Sequence, residues 1–376
     1  MRFLMLNWRD PKNPLAGGAE RVTLAYLAAL ASRGHEVFWF ANSFADAPVT
    51  ELIDGVTVVR GGGMGTSILY ARRWYRSQSP FDLVIDQHHG IPWFAPWWTG
   101  TRVVSYIHEV LGPIWNSFYP WPLSVIGRYQ EALTHWIYRK VPFWTACEST
   151  ETALRQHGVR EVTIIRYGVE TQTLAKLDSK PFTSPLRLIV VSRLAPNKRI
   201  DHAIHTVANL KQRGVEAHLK IVGGGECRSS LEAQTHQLAL GSQVTFLGQL
   251  PEHEKDSLLQ DSHFILHTSQ REGWGLNIIE ANAMGTPGAV YPVPGLIEST
   301  LDNQTGVVAR QETPAALADR LVELLKHPEE YESLRIRAWN RAKTMHWSNI
   351  LPDATRWLES MARPVQSVST TPTVAR

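Results

Sequence analysis

Apolar runs of β type alternate with helical periodicity from one end of the chain to the other. FLMLN, EVFWFA, VTVVR, LVIDQ, VVSYIH and FWTAC in the first half, and LRLIVVS, HLKIVG, VTFLG, FILHT and GAVYPV in the second, are short apolar runs that predict strands. Between them, segments such as GAERVTLAYLAALASRG and IDHAIHTVANLKQRG repeat their apolar positions at helical spacing. Strands alternating with helices predict parallel sheets covered on both faces, an α/β fold. The pattern breaks at GVETQTLAKLDSKPFTSP, which is polar and ends in prolines just before the strong strand LRLIVVS. The chain is therefore read as a doubly wound unit over 1–170, a linker over 171–184, and a second unit over 185–345. WSNILPDATRWLESMA predicts a final helix over 346–362, and the Pro/Ser/Thr-rich end, 363–376, is expected to be a disordered tail.

Composition narrows the function classes. At 376 residues and 43% hydrophobic the chain can build more than one core, and a net charge of +3 is too small to argue for nucleic acid. The two cysteines, Cys147 and Cys227, form no metal or redox pattern, which fits a reducing, cytoplasmic setting. MRFLMLNWRD meets charge too soon for a signal peptide and reads as a first strand; no apolar stretch is long enough to span a bilayer. The unusual quantity is tryptophan, 14 residues, crowded into the first half. Trp93, Trp97 and Trp98 lie in GIPWFAPWW, and Trp115 and Trp121 in GPIWNSFYPWP, where core packing is less expected than stacking on sugar rings or a membrane interface. ILYARRWYR and HWIYRKVPF set Arg72, Arg73, Arg76, Arg139 and Lys140 among aromatics, which reads either as ordinary helices with solvated faces or as peripheral membrane contact through the first domain.

The stretch REGWGLNIIEANAMGTP, residues 271–287, carries the chemistry. Gly273, Trp274 and Gly275 precede an apolar run opening at Leu276, a loop entering a helix N-terminus. Such a terminus offers unpaired N–H groups and a positive dipole end, which suit a phosphate. Glu272 falls on the loop and Glu280 more than a turn into the helix, and carboxylates accept hydrogen bonds from sugar hydroxyls. One loop and helix could hold a diphosphate between two hydroxyl-bearing rings.

This arrangement resembles the retaining glycosyltransferases of family 4: a Glu, seven residues, a second Glu, a helix of small residues and Gly-Thr-Pro, here Glu272, Glu280 and Gly285-Thr286-Pro287. The resemblance implies the GT-B fold, two Rossmann-like domains facing each other across a cleft, with a C-terminal helix crossing back to the first domain. It implies that Glu272 contacts the donor hexose, that Glu280 contacts the ribose of a sugar nucleotide, and that Gly273, Trp274, Gly275 and Leu276 belong to the donor site.

Other segments match the family in the expected order. Gly17 and Gly18, in LMLNWRDPKNPLAGGAERV, resemble its glycine-rich loop, and His108, at the end of VVSYIH, its active-site histidine. Arg193 and Lys198, in VVSRLAPNKRID, resemble the Arg/Lys pair that stabilises the departing diphosphate. Gly224, within Gly223-Gly224-Gly225, resembles the glycine turn near the nucleotide, and Leu250 and Pro251 the segment that cradles the base. Asp86-Gln87-His88-His89 could line the acceptor side; two adjacent histidines invite a metal, but no third ligand follows at a suitable spacing. The chain departs from the family at Arg199, where Gly is usual, at Asn277, where Pro is frequent, and in Pro294-Gly295-Leu296-Ile297-Glu298, a variant of Gly-Gly-x-x-Glu.

The expected protein is a hexosyltransferase taking a nucleotide sugar, UDP-glucose ahead of GDP-mannose, to a hydroxyl of a glycan or lipid-linked sugar in envelope polysaccharide or glycolipid synthesis. No Asp-x-Asp motif is present to hold a divalent ion, so neither metal nor cofactor is expected. The rivals are a sugar-nucleotide epimerase of the same fold, which would need further acid/base groups, and a non-catalytic donor-binding protein.

Overall fold

The computed structural model describes residues 1–63, 65–88 and 90–362. The expected tail at 363–376, and His89, lie outside the described residues. Two compact units form, one from residues 1–106 together with 351–362, the other from 107–350.

The first unit carries strands β1 (Arg2–Leu6), β2 (Glu36–Ala41), β3 (Thr50–Ile53), β4 (Val56–Arg60), β5 (Leu83–His88) and β6 (Val103–Ile107), in the spatial order β3-β4-β2-β1-β5-β6. β1 runs parallel to β2 and β5, and β2 parallel to β4. β3 is antiparallel to β4 and was not expected; its sequence, TELI, shows an exposed face with no apolar run to announce it. The helix Gly18–Ser32 buries Val22, Tyr26, Leu27 and Leu30 at helical spacing. The last helix, Trp347–Ala362, enters this unit from Leu351, and its Glu359 accepts a hydrogen bond from Arg33 Nε at 2.6 Å and lies 3.0 Å from His35 Nε2.

The second unit holds β7 (Phe143–Thr145) parallel to β8 (Val162–Ile164), and a six-stranded parallel sheet. Its strands are β9 (Leu186–Val191), β10 (Ala217–Val222), β11 (Val244–Gly248), β12 (Phe264–His267), β13 (Gly288–Val290) and β14 (Gly306–Val308), ordered β11-β10-β9-β12-β13-β14. The chain winds outward from β9 through β10 to β11, then returns to β12 and winds the other way. The reversal between β9 and β12 is the topological switch point, and ligands of such sheets bind outside the carboxyl ends of the strands there.

Segment 107–170 packs within the second unit: Glu298 accepts from the N–H groups of Glu148 and Ser149 at 2.7 and 2.9 Å, and Val169 bridges to His346. The polar stretch before β9 is also anchored, with Phe182 buried and the Lys180 ammonium donating to Ser262 O at 2.7 Å and Thr286 Oγ1 at 2.9 Å.

Tryptophan behaves differently from expectation in one loop. Trp93 is fully buried and stacks on Trp8 at 4.4 Å, and Trp98 Nε1 bonds the Trp93 carbonyl; only Trp97 of that trio is exposed. Asp86 fixes the loop by accepting from the N–H groups of Trp93 and Ala95. Prolines exposed the local sequence to a surface reading; a buried carboxylate supplies the hydrogen bonds that let this loop turn inward.

Candidate active site

β12 ends at His267, and the chain turns through residues 268–275 into the helix Leu276–Ala283. Gly275 is the N-cap, with φ of 85°, a left-handed conformation that favours glycine. The helix start is fastened to β9 by Asn277, whose Nδ2 donates to Val191 O at 2.8 Å. That bond gives Asn277 a role in the switch point that proline could not fill. Trp274 is buried, with the guanidinium of Arg166 5.0 Å from its ring centroid and that of Arg341 at 6.0 Å. Its side chain thus anchors the loop, which leaves its backbone to face a ligand.

Glu272 stands on this loop. Its Oε2 accepts from Lys198 Nζ at 2.6 Å and lies 3.6 Å from His267 Nε2. Burial alone would raise the Glu272 carboxyl, but the Lys198 charge and His267 outweigh it and hold the carboxyl below its usual range. His267, buried behind the pair, is pushed down to about 4 by that burial, so it is neutral near pH 7.

Lys198 and Arg193 leave the carboxyl end of β9. The Arg193 side chain is exposed and has no hydrogen-bond partner among the described residues. The loop bearing it is clasped by the glycine triplet after β10: Leu194 N donates to Gly224 O at 2.9 Å, and Ser192 N to Val222 O at 3.0 Å. A Cβ on Gly223 would stand 1.9 Å from Ser192 O, so the approach excludes any side chain. Arg199, the residue that replaces a usual glycine, takes φ 47° and ψ 47° and pairs with Glu312 at 2.6 Å. The left-handed geometry explains why glycine suits that position.

His108 follows β6, and its Nδ1 is hydrogen-bonded to the hydroxyl of Tyr167. The Gly273 backbone passes so close that an added Cβ would lie 3.0 Å from the His108 carbonyl oxygen, which brings the histidine loop and the Glu272 loop together. Glu109 Oε2 lies 3.4 Å from Arg271 Nε, a second tie between the same loops. Burial and then the nearby Glu272 charge push the Glu109 carboxyl up to about 7, against the opposing pull of Arg271 and Lys198.

Glu280 is buried on the helix, and Lys255 Nζ donates to its Oε2 at 2.9 Å; Lys255 also donates to Glu252. Burial acts to lower the Lys255 ammonium, but Glu280 and Glu252 together raise it. Pro251 is the N-cap of the helix Glu252–Asp261 that carries Lys255, and half-buried Leu250 precedes it. Lys255 was not singled out from sequence. A lysine three residues after a glutamate looks like an ordinary exposed helical pair, and nothing local reveals a buried carboxylate far along the chain.

The structure thus gathers His108, Arg193, Lys198, Gly224, Leu250, Gly273, Trp274, Gly275, Leu276, Glu272 and Glu280 within the second unit. Gly17 and Gly18 lie in the first, exposed at the start of the helix Gly18–Ser32, where Gly17 N donates to Glu20 Oε2 at 2.7 Å and buried Glu20 meets Arg9 at 3.1 Å. Asp86, Gln87 and His88 lie within buried β5, not in a loop beyond it.

Comparison with known proteins agrees with this geometry. Residues 16–173 match Glycosyltransferase Family 4 and residues 175–341 match Glycosyl transferases group 1. A glycogen synthase of Mycobacterium tuberculosis is 28% identical over 378 residues, spanning 87% of each chain. A D-inositol 3-phosphate glycosyltransferase of Frankia alni is 30% identical over 170 residues, 43% of this chain and 42% of that one. Among solved structures, sucrose-phosphate synthase from Thermosynechococcus elongatus superposes with a TM-score of 0.79 at 18% identity, covering 96% of this chain and 98% of that one. Anabaena HepE in complex with UDP-glucose superposes with a TM-score of 0.71 at 18% identity, covering 96% and 100%. These matches, with the two doubly wound sheets, mark a GT-B glycosyltransferase. The chain belongs to the group 1 glycosyltransferases of family 4.

Proposed function

We propose that the protein is a retaining hexosyltransferase that uses UDP-glucose, with GDP-mannose the next choice, and glycosylates a hydroxyl of a glycan or lipid-linked sugar in envelope polysaccharide or glycolipid synthesis. The observation that carries the reading is the placement of Glu272 and Glu280 on either side of one helix N-terminus, each against a lysine, at the switch point of the second sheet. The diphosphate meets the first turn of the helix, Glu280 the ribose hydroxyls, and Glu272 the hexose hydroxyls.

In the transfer, the bond from the anomeric carbon to the diphosphate oxygen breaks and its electron pair leaves with the nucleoside diphosphate. The acceptor oxygen forms the new bond from the same face, and its proton passes to the departing phosphate oxygen. Arg193 and Lys198 stabilise the charge that grows on that phosphate, the task a divalent ion performs elsewhere, so the reaction is expected to proceed in excess EDTA. His108, oriented by Tyr167, contacts the transferred hexose. The segment 1–170 binds the acceptor, and the exposed Arg72, Arg73 and Arg76 on the helix Ser67–Arg76 favour an acceptor presented at a cytoplasmic membrane face.

A thermal-shift panel of UDP, GDP, UDP-glucose and GDP-mannose tests the donor. A ligand at about 100 times its dissociation constant adds ~2.7 kcal/mol, a readable shift. A response to the uridine compounds with none to guanosine supports the reading; the converse moves the donor to GDP-mannose, and no response to any removes the assignment.

A further inference from the structure

The helix Leu123–Ile137 is amphipathic the wrong way round. The side it turns toward the protein is small or polar: Ser124, Gly127, Glu131, Thr134 and His135 are its buried residues. These inward groups are satisfied. Glu131 accepts from the N–H groups of Leu111 and Gly112, both at 2.7 Å, and His135 Nδ1 lies 2.8 Å from His157 Nδ1. Gly127 gives room to Trp115, whose ring would lie 2.4 Å from a Cβ at that position. The outward side is apolar. Ile126, Tyr129, Leu133 and Trp136 are 59%, 75%, 56% and 53% exposed, at helical spacing, and Trp121 just before the helix is 82% exposed.

Isolated exposed apolar residues are ordinary, but a contiguous stripe along one helix marks an interaction surface. Its charge identifies the occupant. Between residues 119 and 140 the single carboxylate is Glu131, which is buried, whereas Arg128 and Lys140 are exposed and Arg139 lies 4.0 Å from the Trp136 ring centroid. Over residues 119–140 the surface therefore offers aliphatic side chains flanked by tyrosine and tryptophan, with cations and no exposed anion; exposed Glu161 follows Arg160, whose N–H donates to Arg139 O beyond the end of the helix. Interfacial aromatics beside lysine and arginine are the composition of a helix lying in the headgroup region of an anionic bilayer. A second copy of this chain would bring the same cations against themselves.

We infer that the outward face of Leu123–Ile137, together with Trp121, docks on an anionic lipid surface, inserting Ile126, Leu133 and Trp136 while Arg128, Arg139 and Lys140 meet the headgroups. This deepens the reading of a lipid-linked acceptor, but it is tested without donor or acceptor, so the two can fail separately.

Full-length protein is sedimented with vesicles of phosphatidylglycerol and phosphatidylcholine, or phosphatidylcholine alone. Binding is expected on the anionic vesicles and is expected to fade near 1 M salt, where the screening length is ~3 Å. Ile126→Glu/Leu133→Glu should lower partitioning at least about tenfold, which is ~1.4 kcal/mol, and Arg128→Gln/Lys140→Gln should weaken anionic binding by at most about fivefold per cation, which is ~1 kcal/mol each. All substituted positions are exposed, and an unchanged melting temperature certifies the fold. Wild-type protein that stays in the supernatant at low salt, or a double-Glu variant that binds like wild type, overturns the inference. So does a concentration-dependent dimer that Ile126→Glu dissociates, because the face would then be covered by a second copy.

Discussion

Lys198 Nζ lies 2.6 Å from Glu272 Oε2, so the cation assigned to the departing diphosphate and the carboxylate assigned to the hexose hold each other before any donor binds. Each partner positions the other. On the proposed mechanism, Lys198 gains most as charge accumulates on the phosphate, when a second anion joins Glu272 in facing it. Lys198→Ala and Arg193→Ala are therefore expected to lower turnover by about 2.7–4 kcal/mol in activation free energy, as for other preorganised charge donors. UDP release from UDP-glucose, followed at saturating donor, checks this. An effect confined to the Michaelis constant would assign both residues to ground-state binding.

Glu280 and Lys255 are both buried, and removing one member of such a pair strands the other charge, at about 3–5 kcal/mol. Lys255 keeps Glu252 as a partner, so Glu280→Ala is expected to cost about 2–3 kcal/mol in urea unfolding and also to weaken UDP binding. Lys255→Met/Glu280→Leu removes both charges and is expected to recover most of the stability while the UDP affinity stays low. Recovery of both would make Glu280 a packing residue only.

The Glu109 carboxyl is raised from 4.5 to about 7 by burial and by Glu272. Folding thus favours its neutral form, so its contribution is complete below pH 4.5 and is lost as pH rises through 7. Glu109→Gln is expected to flatten the fall in stability across that window and to be the more stable protein at pH 8, by on the order of 1 kcal/mol given its partial exposure. Denaturant midpoints at a series of pH values decide it; parallel curves for the two proteins would remove Glu109 from the titration.

Arg199 sits in a left-handed conformation that costs a non-glycine residue about 1–2 kcal/mol. Arg199→Ala keeps that cost and loses the Glu312 pair, worth ~0–1 kcal/mol at its exposure. Arg199→Gly loses the pair but relieves the backbone, so it should be more stable than Arg199→Ala by about 1 kcal/mol. Equal melting temperatures for the two variants would show that the backbone strain is not felt.

The parallel sheets were legible because their strands are continuous apolar runs, and the placement of Glu272, Gly273, Gly275 and Glu280 on one loop and helix was legible because that local spacing survives folding; Lys198 and Gly224, on other loops, were named only through resemblance to the family. Residues that act across the chain were not. Lys255 reads as a surface lysine until it meets Glu280, and Asn277 reads as a lapse from proline until its amide reaches Val191. His267 closes a strand and shows no sign of the Glu272 it backs. The Trp93 loop misled for the complementary reason: its prolines describe the backbone, while the depth of the ring depends on Asp86 and Trp8. Strand β3 lacks any apolar run because one of its faces has nothing to cover.

The first compact unit is assembled from two separated stretches, residues 1–106 and 351–362, whereas 107–350 is one unbroken stretch. On the ribosome the order of synthesis and the order of completion must therefore differ. The earlier segment holds Arg33 and His35 for a carboxylate, Glu359, that lies 326 residues after Arg33. During that interval the early strands wait without their closing helix, and the middle of the chain is free to finish folding. Premature termination near residue 350 would accordingly damage the unit begun earlier in synthesis rather than the unbroken one made after it.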